Sequence, residues 1–326
     1  VEAAMKYFII GAIATGMLLY GFSMIFGASQ SIDISVIAKH FASISLQDNC
    51  VAVFGLVFAV AGLAFKLGAA PFHMWIPDVY HGSIITTTLL LSTIPKIAVF
   101  VILIKLLTNV FSGLFLFWAD MVIILSILSI LIGNIVAISQ TNIKRMLAYS
   151  TIANIGFILL GLSVGSIIGY KAAMFYTLTY VVTTIAAFGL LSQLICRNKP
   201  IENISDLSGL NSTSPFTAFL LMFILLSYIG IPPFIGFHAK LFIIQSLVES
   251  NNIPLSIFAV LMTVIGSFYY LRVIKVIYFD ELKDELLITS KLYFTGTYVI
   301  GLMLLGLFPD ILGQLSQYSI SNLFNT

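Results

Sequence analysis

Charge is scarce in this chain: Asp, Glu, Lys and Arg together make up 9% of its 326 residues, against about 25% in soluble domains. No water-soluble domain, Gly-rich phosphate loop or cofactor box can be found. Only two cysteines occur, Cys50 and Cys196, far apart and in no Cys-x-x-Cys or metal-ligand spacing, so neither a disulfide framework nor a metal site is indicated. Both read as small apolar residues. The net charge of +2 is nearly balanced and the basic residues are dispersed, which argues against nucleic acid or an acidic macromolecule as partner. A signal-peptide layout and an initiator methionine are missing too, and the chain opens Val1-Glu2-Ala3-Ala4 with a helix already under way. That opening is expected of a fragment.

What is present instead is apolar: 60% of residues are hydrophobic and the mean hydropathy is +1.10. Such a composition defines an all-α integral membrane protein surrounded by a lipid bilayer. Apolar runs of spanning length lie near 5–26, 51–79, 84–107, 114–138, 146–168, 172–195, 215–247, 254–279 and 292–313, which gives nine expected transmembrane segments. The second and seventh are too long for one straight span, and each holds breakers: Gly68 and Pro71 in one, Gly230, Pro232, Pro233 and Gly236 in the other. Proline removes a backbone donor and frees carbonyls that are tolerated at membrane depth only beside protein or water. Both segments should therefore be discontinuous helices, each with a polar cavity at its break.

If the chain starts on the cytoplasmic or matrix side, that side receives Lys144, Arg145, Arg197, Lys199, Arg272, Lys275, Lys283 and Lys291, and the other side only Lys39, Lys105 and Lys171. Basic residues concentrate on the inner side of membrane proteins, which fits this orientation and argues against the reverse one. The acidic run Asp280, Glu281, Asp284 and Glu285 then falls in a solvated inner loop. The longest polar linker, Pro200 to Leu210, separates six segments from the last three.

Three lysines, Lys66, Lys96 and Lys240, interrupt the apolar stretches. Each costs roughly 2.5–3.5 kcal/mol at a helix centre on insertion scales, so that a purely structural helix would not carry them. The combination of buried charge and broken helices points to ion transport. Lys66 lies 15 residues before position 81, in the tight connection between two segments, and Lys96 lies 15 residues after it, so the pair is expected at similar depth and in one cavity. A lysine near a helix end would snorkel to the interface, but Lys66 and Lys96 are too central for that. Lys240 follows the Gly230-Ile231-Pro232-Pro233-Phe234-Ile235-Gly236-Phe237 break. Glu2 and Lys6 are spaced i, i+4 and can pair on one helix face, either at the interface or within the membrane. His73 and His238 lie near Lys66 and Lys240 in sequence; each is open to a relay role or to a plain hydrogen-bonding one. Hydroxyls at Thr86, Thr87, Thr88, Thr183 and Thr184, with Tyr149 and Tyr180, could support a water chain, although most intramembrane Ser and Thr bond back to their own helix.

Four stretches carry a family resemblance. Ala64-Phe65-Lys66-Leu67-Gly68-Ala69-Ala70-Pro71-Phe72-His73-Met74-Trp75-Ile76-Pro77-Asp78-Val79-Tyr80 resembles a segment typical of NADH-quinone oxidoreductase subunit N, called subunit 2 in mitochondria. Glu2 to Phe8, Ser139 to Thr151 and Gly230 to Lys240 agree with it. The resemblance implies the antiporter-like module of respiratory complex I, a fourteen-helix fold of two inverted five-helix repeats, of which these nine segments would be the sixth to fourteenth. Residues 1–110 would hold the last three helices of the first repeat, 111–280 the second repeat, and 281–326 a C-terminal loop and the final helix. By the same resemblance Lys66, Lys96 and Lys240 match the family's proton-channel lysines, and Glu2 and Lys6 its sixth-helix charged pair. No cofactor would be bound by this chain; NADH, flavin, iron-sulfur clusters and quinone would sit in partner subunits. Its partners would be protons and the other membrane subunits of the complex, antiporter-like paralogues among them, in a bacterial plasma membrane or a mitochondrial inner membrane.

Two departures from the family pattern stand out. The usual Gly-Ala-Pro-x-Pro turn reads Gly82-Ser83-Ile84-Ile85-Thr86, and Pro95 directly precedes Lys96. The leading expectation is a proton-translocating, non-redox subunit of an NADH:quinone oxidoreductase. The alternatives are a subunit of a multi-subunit cation/proton antiporter and a non-conducting scaffold.

Overall fold

The computed structural model describes residues 1–43, 50–196, 199–282, 286–288 and 293–325. Helix α1 (Glu2–Ser29) ends at Gln30 in a left-handed conformation whose N–H bonds back to Phe26. After it come α2 (Ile34–Ser43), α3 (Cys50–Leu67), the short α4 (Trp75–Gly82) and α5 (Ile85–Lys105), which runs on into a π-helical turn at Leu106–Val110. Three long helices follow, α6 (Phe115–Ser139), α7 (Ile143–Ser163) and α8 (Ile167–Leu191). Strands β1 (Leu194–Cys196) and β2 (Lys199–Pro200) precede α9 (Leu210–Thr213), α10 (Pro215–Ile229), α11 (Ile235–Glu249) and α12 (Ile253–Phe279). Strand β3 (Leu286–Ile288), α13 (Tyr293–Leu307) and α14 (Asp310–Asn325) complete the chain.

Packing follows the rule for helices in lipid, where small residues rather than apolar bulk bring helices together. Gly21 on α1 faces Gly55 and Ala59 on α3; a methyl group added at Gly21 would stand 2.7 Å from the Ala59 nitrogen. Gly133 on α6 meets Ala153 on α7 in the same manner. Helix α7 is buried along nearly its whole length and α8 along most of it, whereas α1 and α12 are largely exposed. The exposed side chains are those that lipid accepts, among them Phe8, Ile257 and Val264.

Among the described residues, seven helices are long and apolar enough to cross a membrane, and an eighth span results if α13 and α14 are joined. The protein is thus a multi-pass membrane protein. The count differs from nine for a physical reason. The seventh expected segment is two helices of 15 residues each, α10 and α11, separated by Gly230–Phe234, and neither crosses alone. The second segment is likewise broken, into α3 and α4. The ninth bends by 80° between Leu307 and Asp310, where Pro309 cannot continue a helix. Pro95, by contrast, sits inside an unbroken α5.

The small antiparallel sheet, in order β2-β1-β3, was not expected from sequence; it pairs Ile195 with Pro200 and Leu194 with Ile288. It lies at the end of the bundle where the connections after α6, α8 and α12 meet. There the Ile143 N–H donates to the Glu202 carbonyl (2.8 Å) and the Ile204 N–H to that of Thr141 (2.9 Å). The Arg272 guanidinium donates to the carbonyls of Ile138 (2.7 Å) and Gln140 (2.5 Å). Of the charges counted for orientation, Arg197, Lys283 and Lys291 lie outside the described residues, as do Asp284 and Glu285 of the acidic run.

Candidate functional site

A helix that stops inside a membrane leaves its last carbonyls without intrahelical partners. At the end of α3, Gly68 adopts φ +80, a conformation open to glycine at little cost. The N–H groups of Gly68 and Ala69 turn back to the Ala64 carbonyl (2.8 and 2.9 Å). The Trp75 indole donates to the Phe65 carbonyl (2.9 Å). The last two carbonyls, of Lys66 and Leu67, accept from the Lys96 ammonium at 3.4 and 2.5 Å. Lys96 is 2% exposed and stands 4.9 Å from the Trp75 ring centroid. The Ala70 N–H completes the break by donating to Ser129 Oγ (2.8 Å), which ties it to α6.

The end of α10 repeats this design. Gly230 adopts φ +84 and its N–H returns to the carbonyls of Leu226 and Ser227 (3.0 and 3.1 Å). The last two carbonyls, of Tyr228 and Ile229, accept from the Lys240 ammonium at 3.0 and 2.9 Å. A methyl group at Gly230 would stand 3.0 Å from the Lys240 side chain, so the glycine supplies both the turn and the room. In each break, a lysine ammonium meets the negative end of a helix dipole, where a cation is favoured. The lysines come from different places, however: Lys96 from the next helix, Lys240 from the second half of the same broken span.

Lys66 behaves differently. It lines a groove of about 660 Å³ bounded by Tyr7, Gly11 and Thr15 of α1 and by Leu91 and Pro95 of α5. Lys96 is not on the groove's walls. What the fold brings together is the Lys96 ammonium and the Lys66 carbonyl. The Lys66 ammonium takes part in none of the hydrogen bonds or ion pairs found among the described residues.

Glu2 and Lys6 pair at 2.7 Å, and the pair belongs to a larger cluster. Lys6 also reaches Asp78 at 2.7 Å, and Arg145 reaches the other Asp78 oxygen at 2.9 Å. Asp78 thereby joins α1, α4 and α7. Lys144, buried, donates to the carbonyls of His81 (3.3 Å) and Ser83 (3.1 Å) at the end of α4. Sequence reasoning assigned Asp78, Lys144 and Arg145 no such role. They stood in the quoted motifs, yet Lys6 and Arg145 lie 72 and 67 positions from Asp78, and no local spacing rule reaches that far.

His73 is buried in the turn between α3 and α4, 6.5 Å from the Tyr149 ring, and its Nδ1 has no protein partner among the described residues. His238 stacks edgewise on Phe237 and lies 6.2 Å from Phe242. No described bond joins either histidine to a lysine. Of the hydroxyls, Thr88 bonds Ser83 (2.8 Å) in the turn before α5 and Thr183 bonds back to Thr179 (2.8 Å). Others bridge helices: Tyr180 donates to Thr151 (3.0 Å), Thr184 pairs with Tyr228 (3.0 Å), Tyr176 donates to Asn154 (2.8 Å) and Ser150 pairs with Tyr270. This buried polar file connects α7, α8, α10 and α12 around Lys240.

Matched helix breaks, each closed by an intramembrane lysine, define a polytopic membrane protein that holds cationic side chains in its apolar core. A family profile described as NADH:quinone oxidoreductase/Mrp antiporter, transmembrane, matches residues 1–266. NADH-quinone oxidoreductase subunit N of Hydrogenovibrio crunogenus is 48% identical over 98% of this chain and 67% of its own length. The chain belongs to that family, in its subunit N branch. A chain of respiratory complex I from Thermus thermophilus, solved with bound aureothin, superposes with a TM-score of 0.78 at 29% identity, over 96% of this chain and 68% of its own. A chain of the Mrp complex from Dietzia shares the fold, with a TM-score of 0.87 at 21% identity over 99% and 68% of the two chains. This chain spans 59–68% of the length of subunit N relatives it matches.

Proposed function

We propose that this chain carries protons across a membrane as a subunit of an NADH:quinone oxidoreductase, with Lys66, Lys96 and Lys240 as relay groups. The observation that carries the reading is the repeated one: two helices broken in the apolar core, each with its terminal carbonyls on a lysine ammonium. An ammonium held by two carbonyls can exchange its proton with a neighbour while the carbonyls keep the helix end satisfied by the amine. It performs no redox chemistry; NADH, flavin, iron-sulfur clusters and quinone belong to partner subunits, and antiporter-like paralogues flank it. Glu2, Lys6 and the two histidines are candidate accessory groups. A division at residues 110 and 280, with one break on each side of the first boundary, is supported by the likeness of the two breaks. Bacterial relatives favour a bacterial inner membrane.

The test is NADH-driven proton pumping by the intact complex in vesicles. Lys66→Ala and Lys240→Ala should each lower pumping by an order of magnitude or more; wild-type pumping in both variants would refute the relay. The family profile, which spans NADH:quinone oxidoreductase and Mrp antiporter chains, favours a second reading, a cation/proton antiporter subunit. That reading requires sodium-dependent transport without NADH or quinone.

A further inference from the structure

A cavity of about 360 Å³ lies at the end of the bundle where α8 begins, α11 ends and α14 begins. Its polar lining carries both signs of charge: Lys171 from α8, Glu249 from α11 and Asp310 from α14, together with the amides of Gln245, Gln314 and Gln317. Among the described residues, none of these six side chains takes part in a hydrogen bond or an ion pair. The Lys171 ammonium thus shares one cavity with two carboxylates and pairs with neither. The remaining walls are apolar. Phe175 and Phe242, in edge-to-face contact at 5.0 Å between ring centroids, line the cavity with Ile168, which is 54% exposed. Leu241 and Val248 share a face of α11 with Gln245 by their i, i+4 and i, i+3 spacing and are also exposed, so the polar cavity adjoins a surface suited to lipid tails.

We propose that this cavity binds the headgroup of a phospholipid that carries a primary amine, phosphatidylethanolamine, with its phosphate on Lys171, its ammonium on Glu249 and Asp310, and an acyl chain along Ile168 and Leu241. The headgroup bears an anion and a cation a few bonds apart, so one molecule satisfies unlike charges that do not reach each other. Glutamine amides can donate to the phosphate and accept from the ammonium, and the cavity has the size of a small-ligand site. Other occupants fit less well. An anionic headgroup meets two carboxylates for a single lysine, a choline headgroup has no N–H to donate, and a divalent cation faces the Lys171 ammonium. A soluble zwitterion leaves the apolar rim bare. The bound lipid would fasten α14, which turns away from α13 by 80°, to α8 and α11.

The test uses the intact complex, purified in detergent and exposed to a photoactivatable phosphatidylethanolamine. Labelling is expected within residues 168–175, 241–249 and 310–317. Unlabelled phosphatidylethanolamine should suppress it at a concentration about tenfold lower than phosphatidylcholine, the difference set by hydrogen bonds to a charged group. Equal suppression by phosphatidylcholine or phosphatidylglycerol overturns the headgroup assignment. Suppression by free phosphoethanolamine as strong as by the lipid overturns the lipid as occupant, and absence of labelling in these segments overturns the site. In complexes that assemble, Glu249→Gln with Asp310→Asn should abolish the preference for phosphatidylethanolamine over phosphatidylcholine, and an unchanged preference overturns the role of the carboxylates. If that variant does not assemble, the competition on the wild-type complex decides alone.

Discussion

Lys96, Lys144, Lys240 and Arg272 each place a cationic group on the terminal carbonyls of a helix, those of α3, α4, α10 and α6. The energetics explain why such expensive residues persist. A central lysine costs roughly 2.5–3.5 kcal/mol to insert, and a hydrogen bond to a charged group contributes about 1.5–3 kcal/mol. Two such bonds therefore offset the insertion cost, leaving the amine poised rather than strained. The glycines that make this possible are tightly constrained. Gly230→Ala would force a side chain into φ +84 and against Lys240, at a cost of about 1–2 kcal/mol from the left-handed backbone alone. The expected outcome is a lower thermal unfolding midpoint for the purified complex together with impaired pumping; an unchanged midpoint would contradict the conformational argument. These positions were legible in sequence because Gly, Pro and Lys are conspicuous in an apolar run. The acceptors of their bonds were not, since a carbonyl freed by a break has no signature in the side chains around it.

The half-helix α4 is the element whose position the sequence left most open. Only eight residues long, it is held by Asp78 through Lys6 and Arg145, by Lys144 on its terminal carbonyls and by the Trp75 indole on α3. Because the Asp78 pairs are partly exposed, each contributes modestly, and their combined effect is positional. Asp78→Asn should leave the fold intact but speed amide hydrogen exchange over residues 75–82 severalfold, since local opening then becomes easier. Exchange confined to wild-type rates would show that Trp75 and Lys144 suffice. The breaks after α3 and α10 could be read from their glycines and prolines. The 80° bend into α14 could not, because Pro309 reads equally well as the end of a span. Nor could the sheet, in which β1 and β3 pair residues as far apart as Leu194 and Ile288 and acquire that pairing only when α8 and α12 deliver both strands to one end of the bundle.

Among the described residues, Lys144, Arg145, Lys199 and Arg272 belong to connections at one end and Lys39, Lys105 and Lys171 to those at the other, as the alternation of spans dictates. This arrangement is checked by accessibility. A Lys199→Cys variant should react with an impermeant thiol reagent only from the inner side of oriented vesicles, and Lys171→Cys only from the outer side. Reaction of both from one side would overturn the topology. Between the two ends runs the polar interior: Lys96 at the first break, Lys240 at the second, and bridging hydroxyls from Thr151 to Tyr228 around the latter. Membership of the subunit N branch gives that interior its proposed use. The most direct test is the ratio of protons pumped to NADH oxidised by the intact complex in sealed vesicles, measured for wild type and for Lys96→Ala. The account predicts a clear fall in that ratio, or loss of coupled turnover altogether, with assembly preserved; a wild-type ratio at wild-type turnover would contradict it.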